Sequence, residues 1–186
     1  NHHGTLLPTT SEPVLVADRF GNPNSAYQFN GNTVIYFGDA QAQEFPDNRD
    51  SFSISVWVRY DTSRRDFLSI GNYGCSNSTR GVIIRLGDNR QSQFNGCSRQ
   101  GFLDGNFSDN NWHHMVFVYN RNIGRRVFVD GVVIPFYNLL GTGNIFNIRD
   151  HGLSIGGGGY RNQPIGSSLF EGEADDLKLW NDALTD

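Results

Sequence analysis

Acidic side chains lie towards both ends of the chain, where they are suited to bind a cation. Asp18 opens a loop rich in Gly and Asn, and the pair Asp175-Asp176 lies close to the other end of the sequence. Calcium takes roughly six to eight oxygens from carboxylates, amide and backbone carbonyls and water, and residues 18–24 offer such oxygens beside a carboxylate. The alternative is that Asp18 only starts a turn and Asp175 makes ordinary hydrogen bonds.

Three acidic residues alternate along one segment, a spacing that could serve glycoside hydrolysis. Glu171, Glu173 and Asp175 are each two residues apart, so in a strand they would project from one face. Retaining glycosidases hold two carboxyl groups about 5–5.5 Å apart across the bond that is cleaved. However, Gly172 lies between the first two, and no nucleophile elbow accompanies a Ser-His-Asp set. Hydrolysis is therefore the less favoured interpretation.

Charge and hydropathy argue against two classes of function. The formal net charge is −4, from 15 basic and 19 acidic residues, and no dense Lys/Arg run exists. This composition disfavours nucleic-acid binding. No apolar run approaches the ~20 residues of a membrane helix, so membrane insertion is not expected either.

Period-two alternation recurs along the chain, and helical periodicity is almost absent. In residues 52–60, apolar side chains alternate with Ser, Trp and Arg, and Asp130-Gly131 between two apolar runs predicts a hairpin with a type I′ turn. Many short strands separated by Gly, Asn and Asp predict an all-β antiparallel sandwich, in a single domain over residues 1–186. Other strands are predicted at 25–29, 33–37, 67–70, 81–86, 92–94, 112–119, 126–129, 132–134, 153–155 and 174–180.

The order of these motifs resembles laminin-G-like domains of the concanavalin A-like lectin/glucanase superfamily. Residues 18–31, with Asp-Arg-Phe-Gly-Asn and Phe-Asn-Gly, are similar to the opening of these domains. Residues 52–58, 112–116 and 127–131 are similar to their central strands, and 170–181, with Ala-Asp-Asp-Leu-Lys-Leu-Trp-Asn, to their closing strand. The resemblance covers nearly the whole chain in order and implies a concanavalin A-like jelly roll.

The resemblance implies several functions and does not choose among them. The family includes glycan-binding modules, adhesion domains and passive spacers, most of them extracellular, and a laminarinase-like branch whose alternate acidic residues line a cleft. Many members carry a structural calcium near the seam between the first and last strands, and Asp175 matches their late acidic position. On this basis we expect a calcium ion bound by Asp18, Asn22 and Asp175.

Cys75 and Cys97 are the only cysteines, and the strand pattern predicts a disulfide between them. If residues 67–70, 81–86 and 92–94 form a meander, each Cys lies just past the end of an outer strand. One strand then separates the two cysteines, which places them two strand spacings, or ~10 Å, apart. The loops could close this separation to the roughly 5.5–6 Å that a disulfide needs. Such a bond would indicate an oxidising compartment. Asn77 and Asn106 begin glycosylation sequons.

The same meander predicts a binding rim at one end of the sandwich. Planar hydrogen-bonding groups beside an aromatic ring suit a sugar, although Asn, Asp and Gly populate any rim that is rich in turns. The segment before Trp112 and the Asp130-Gly131 turn are expected at the same end as the cysteines. The predicted ligand-binding residues are Tyr73, Asn77, Arg80, Arg99, Asp104, Asp109 and Asn110.

Taken together, the sequence predicts a non-catalytic recognition module, secreted or at the cell surface and part of a larger multidomain protein. Its expected ligand is a glycan or another extracellular or cell-surface molecule, bound through rim loops that the calcium and the disulfide pre-organise. The alternatives are a protein-interaction, adhesion or spacer domain without a sugar site, and a glycoside hydrolase of the same fold.

Overall fold

The computed structural model describes residues 4–6, 11–39, 51–61, 65–70, 81–96, 100–120, 122–139, 152–160, 163–165 and 169–185. Over these ranges the ordered elements are strands, as the alternation predicts. The strands are β1 (Thr5–Leu6), β2 (Val14–Val16), β3 (Ala26–Asn30), β4 (Ile35–Asp39), β5 (Phe52–Arg59), β6 (Arg65–Ile70), β7 (Val82–Leu86), β8 (Gln93–Gly96), β9 (Gly101–Leu103), β10 (His113–Asn120), β11 (Gly124–Val129), β12 (Val132–Ile134), β13 (Phe136–Leu139), β14 (Gly152–Ile155), β15 (Gly158–Tyr160), β16 (Gln163–Ile165) and β17 (Glu171–Trp180).

The strands form two antiparallel sheets and a small hairpin, which confirms the predicted sandwich. One sheet has the order β1-β4-β14-β6-β7-β8-β9-β13, and the other has the order β12-β11-β10-β5-β17-β3-β2. Strands β15 and β16 pair with each other. The closing strand β17 lies between β3 and β5, so the early and late strands of the chain pair as expected of a jelly roll.

The alternation in β5 sorts its side chains between the core and the outer face. Phe52, Ile54, Val56 and Val58 are each at most 1% exposed and pack between the sheets. The intervening residues face outward, where Ser53 donates a hydrogen bond to the carbonyl of Asp182 at 2.8 Å. Since β5 pairs with β10 on one side and β17 on the other, it is a central strand of its sheet.

The Asp130-Gly131 hairpin also forms as predicted. Its two turn residues have φ angles of 51° and 80°, as a type I′ turn requires. Val129 and Val132 pair on either side of the turn. The turn, the end of β5 and the start of β10 define one end of the sandwich, which we call the Asp130 end.

Aromatic rings join the two sheets in the core. Phe170, just before β17, is fully buried, and its ring centroid lies 4.9 Å from that of Phe67, 5.8 Å from Phe29 and 6.2 Å from Tyr60. Edge-to-face packing of this kind adds stability beyond simple burial. The approach of β17 to the core therefore depends on this ring.

The Phe170→Ala substitution should lower the free energy of unfolding by about 3–5 kcal/mol, because it removes a buried ring and leaves a cavity. Chemical denaturation followed by tryptophan fluorescence measures the change. The matched control is Phe20→Ala, since Phe20 is 74% exposed and its ring makes a cation–π pair with Arg19, worth at most about 1 kcal/mol. Equal losses in the two variants would contradict the assignment of Phe170 to the core.

Strands β6, β7 and β8 form the predicted meander. Ile70 at the end of β6 and Gly96 at the end of β8 both pair with Val82 at the start of β7. This end of the sandwich, the Ile70 end, is opposite the Asp130 end. Cys75 and Cys97 lie outside the described residues, so their disulfide stays a prediction, and it is compatible with these strand ends.

The prediction that the segment before β10 and the Asp130-Gly131 turn share an end with the cysteine-bearing segments is wrong. Strand β9 pairs antiparallel with β8, with Phe102 opposite Gln93, and it returns the chain to the Asp130 end before residue 104. Residues 101–103 place two apolar residues side by side after a glycine, so no alternation marks β9 in the sequence. Asp104, Asp109 and Asn110 therefore lie at the Asp130 end. The strand ends nearest in sequence to Tyr73, Asn77, Arg80 and Arg99 lie at the Ile70 end, and these four residues themselves lie outside the described residues.

Candidate functional site

A polar depression of about 360 Å³ lies at the Asp130 end. Pairing of three strands creates it, because Gln28 of β3 and Arg59 of β5 both lie opposite Glu173 of β17, and Asn30 lies opposite Glu171. Residues just beyond the strands complete its wall. The polar side chains lining it are those of Gln28, Asn30, Arg59, Asp61, Asn110, Glu171 and Glu173.

Glycine at position 172 allows the strands that line the depression to approach each other. Gly172 has a φ of 149°, and a Cβ there would lie 2.6 Å from the carbonyl oxygen of Arg59 and 2.7 Å from the ring of Phe170. A side chain would therefore push β17 away from β5. The glycine that separates two acidic residues in the sequence thus has a packing role.

Arginines neutralise the two glutamates of the depression. The Arg59 Nε donates to Glu173 Oε2 at 2.8 Å and its Nη2 lies 2.5 Å from the same oxygen, while the Arg65 Nη2 lies 3.2 Å from Glu171 Oε1. The Arg59 guanidinium also lies over the Trp112 ring, 5.4 Å from its centroid. Both carboxylates are thus engaged in ion pairs with arginines within the fold.

Three other side chains of the depression have no polar partner in the described part of the chain. Those of Gln28, Asp61 and Asn110 make no hydrogen bond or ion pair there, although all three line the same space. In contrast, Asn30 already accepts hydrogen bonds at 3.0 Å from the Asn32 backbone and from the Thr33 hydroxyl. The free amide and carboxylate groups are available to hydrogen-bond a ligand.

The segment before β10 is fixed against the end of β5. The Asn110 backbone N–H donates to the carbonyl of Tyr60 at 3.0 Å, and Asn110 has a φ of 62°, a conformation that Asn tolerates better than most residues. Tyr60 is itself anchored, since its buried hydroxyl lies 3.2 Å from the Ser92 hydroxyl. These bonds place Asn110 at the wall of the depression.

His113 joins this segment to the Asp130-Gly131 turn. Its Nδ1 lies 2.7 Å from Asp130 Oδ2, and its Nε2 lies 3.1 Å from Asp109 Oδ1. Ionised carboxylates only accept hydrogen bonds, so both ring nitrogens must carry a proton to satisfy this geometry. We call the trio of Asp109, His113 and Asp130 the histidine clasp.

The two adjacent histidines have pKa values shifted in opposite directions. Burial alone would lower the pKa of His113, but the hydrogen bonds and charges of Asp130 and Asp109 outweigh it and raise the pKa. Burial lowers the pKa of His114. The negative charge of Asp130 raises it, but the positive charges of Arg19 and Lys178 lower it further. The His114 ring stacks on Trp57 at 5.0 Å, and its Nε2 lies 2.8 Å from the Ser55 hydroxyl.

NMR titration of the imidazole protons should show His113 titrating above, and His114 below, the ordinary pKa of about 6.5. A raised folded-state pKa stabilises the protein most below the unfolded pKa, so the contribution of His113 is lost as pH rises through its folded pKa. The pH dependence for His114 is the opposite. Its contribution to stability is present above the unfolded pKa and is lost as pH falls through its own lowered pKa. Asp130→Asn should lower the pKa of His113, and an unchanged value would contradict the clasp.

The residues predicted to bind calcium are already occupied by other partners. Asp18 Oδ1 accepts hydrogen bonds from the backbone of Phe20 and of Asn22, and Asp18 Oδ2 accepts one from the Asn22 side-chain amide, all at 2.9 Å. These bonds lower the pKa of Asp18. Asn22 therefore turns its side-chain nitrogen, and not its oxygen, towards Asp18.

Asp175 is also occupied, because it pairs with the guanidinium of Arg19, which reaches Asp176 at 2.9 Å as well. Within the described ranges, no group of three or more His, Cys, Asp or Glu side chains could hold a metal ion. In this arrangement Asp18, Asn22 and Asp175 do not fit a calcium ion, because the ion would lie next to the positively charged guanidinium of Arg19.

Of the predicted ligand-binding residues that the structure describes, only Asn110 lines the depression. Asp109 belongs to the histidine clasp, and Asp104 is paired with Arg90 at 2.7 Å. Tyr73, Asn77, Arg80 and Arg99 lie outside the described residues. No local motif in the sequence marks Gln28, Arg59 and Asp61, because strand pairing alone brings them together.

The family profile of the concanavalin A-like lectin/glucanases superfamily matches residues 19–186, so the chain belongs to this superfamily. Its sandwich and its closing strand between β3 and β5 agree with that assignment. No curated protein sequence matches the chain. In the described ranges no helix is long and apolar enough to cross a membrane.

Solved structures share the fold at low sequence identity. Domains LG4-5 of the mouse laminin α1 chain align with a TM-score of 0.58 and 18% identity over 97% of this chain and 46% of theirs. The K499G mutant of NanB sialidase from Streptococcus pneumoniae aligns with a TM-score of 0.60 and 14% identity over 87% of this chain and 26% of its own. A heptameric SAP-like pentraxin from Limulus polyphemus aligns with a TM-score of 0.58 and 16% identity over 85% of this chain and 76% of its own. The chain thus spans less than half of the laminin and sialidase chains, and the fold alone is shared.

Proposed function

We propose that this domain is a non-catalytic carbohydrate-binding module that holds a saccharide in the depression at the Asp130 end. The observation that carries the proposal is the convergence on one concave space of three polar side chains, those of Gln28, Asp61 and Asn110, that have no polar partner among the described residues. All three side chains are exposed to solvent, so a ligand that reaches them would replace their hydrogen bonds to water by direct ones, each worth about 0.5–1.5 kcal/mol net. Vicinal sugar hydroxyls, which both donate and accept, match a wall that alternates amide and carboxylate groups.

The charges of the depression favour a neutral saccharide over an acidic one. Its wall carries three carboxylates, those of Asp61, Glu171 and Glu173, against the single guanidinium of Arg59, and Arg59 is already paired. A ligand carboxylate would face like charges without a free cation to bind. We therefore propose uncharged hexose units as the ligand.

We further propose that the domain acts outside the cell, in a larger protein. Similarity to laminin and pentraxin domains supports this location, as does the predicted disulfide between Cys75 and Cys97. The rigid attachment of Asn110 through the Tyr60 hydrogen bond and the histidine clasp supports binding without large rearrangement, which limits the entropy lost on association.

Substitution of the unpartnered side chains should abolish most of the affinity while leaving the fold intact. Gln28→Ala, Asp61→Ala and Asn110→Ala are each expected to weaken binding of a neutral oligosaccharide, identified on a glycan array, by about tenfold or more, since each removes roughly 1.5 kcal/mol of hydrogen bonding. Isothermal titration calorimetry measures the affinity.

Asn122→Ala is the matched control, because Asn122 is exposed between β10 and β11, at the far end of β10 from His113. It should bind like the wild type. Wild-type affinity in all three depression variants would refute the site, and an array with no neutral glycan bound would favour a protein-interaction or spacer role.

The absence of glycosidase activity is a separate prediction. Hydrolysis needs one carboxyl group that can donate a proton, whereas Glu171 and Glu173 are both paired with arginines. A panel of polysaccharides should show no cleavage by the wild type, and Glu173→Gln should retain glycan binding. Measurable hydrolysis that disappears in Glu173→Gln would overturn the non-catalytic assignment.

A further inference from the structure

We propose that the guanidinium of Arg19 takes the place of a metal ion between the 18–24 loop and β17. The domain would then hold this loop without calcium. The proposal is independent of the saccharide site, and it follows from the way in which the two acidic residues of β17 face one side chain.

A β-bulge brings both carboxylates to Arg19. Neighbouring residues of a regular strand point to opposite faces, but the register of β17 against β5 shifts between Asp175 and Lys178. Asp176 occupies the bulge with a φ of 51°, and both Asp175 and Asp176 pair with the guanidinium of Arg19. The strand is thus shaped to present two acidic groups to one cation.

Aromatic rings complete the surroundings of the guanidinium. Its central carbon lies 4.8 Å from the centroid of the Trp57 ring and 4.4 Å from that of Phe20. The face of an aromatic ring attracts a cation, and arginine stacks on it well because its head is planar. The Arg19 side chain is 16% exposed and that of Asp175 is 10% exposed, so solvent screens this pair less than an ordinary surface pair.

The loop that carries Arg19 is built by its own hydrogen bonds. Besides the three bonds to its carboxylate, Asp18 donates its backbone N–H to the carbonyl of Asn22 and accepts from the Gly21 N–H through its own carbonyl, both at 3.0 Å. Gly21 has a φ of 85°, which glycine adopts without strain. The carboxylate of Asp18 and the carbonyls of Asp18 and Asn22 are therefore already engaged within the loop.

The charge balance around Arg19 also disfavours a divalent ion. Lys178 lies 3.9 Å from Asp176, so Asp176 has a second cationic side chain beside it in addition to Arg19. A calcium ion at Asp175 would have to displace Arg19 from between two rings. Like charges at this spacing repel strongly where water is partly excluded.

Thermal unfolding with calcium or with EDTA tests the proposal. The melting temperature of the wild type should stay within about 1 °C in both conditions, since an ion that bound only the folded state would raise it. Arg19→Ala should lower the melting temperature by about 4–8 °C and Arg19→Lys by less, because lysine keeps the charge but not the planar, two-pronged contact.

Arg90→Ala is the matched control, because Arg90 forms an exposed pair with Asp104 and its removal should lower the melting temperature by at most about 2 °C. The proposal is wrong if calcium raises, or EDTA lowers, the wild-type melting temperature, or if calorimetry detects calcium binding that Asp175→Asn abolishes. It is also wrong if Arg19→Ala is as stable as Arg90→Ala. Should Arg19→Ala not fold, the two wild-type measurements still decide.

Discussion

The position of β17 between β3 and β5 is the constraint on which the rest of the structure depends. The pairing joins residues 26–30 to residues 171–174 and, on the other side, to the central strand β5. It carries Phe170 into the core between Phe29 and Phe67. Without this strand the seven-stranded sheet would be divided, and neither the depression nor the Arg19 pairing would have its acidic half.

Arginines define the electrostatics of β17. Its outward-facing acidic residues would repel one another if left alone, yet Arg65, Arg59 and Arg19 follow them along the strand in order, each opposite a carboxylate. The acidic side chains of β17 are therefore already engaged by arginines within the fold. What remains free for a ligand is the set of groups that the arginines do not reach.

The sequence predicts the fold well because its signals are local. The alternation over residues 52–60 and the Asp130-Gly131 turn each need only neighbouring residues, and both form as predicted. The depression could not be predicted, because Gln28, Arg59 and Glu173 meet only through strand register across a long stretch of chain. The pairing of Asp175 with Arg19 depends on a bulge that the sequence does not mark. Strand β9 is also unmarked, and because it returns the chain to the Asp130 end, Asp104, Asp109 and Asn110 do not lie at the Ile70 end as predicted.

The insertion of the final strand also determines when the domain can fold. Strand β17 fills a place between two strands whose residues are synthesised much earlier, so β3 and β5 must wait with unpaired edges until the chain has grown by more than a hundred residues. Pairings between such distant segments are slow to form, and open edges in the meantime invite association with other chains. During synthesis this domain would therefore be most vulnerable to aggregation just before β17 is available to pair.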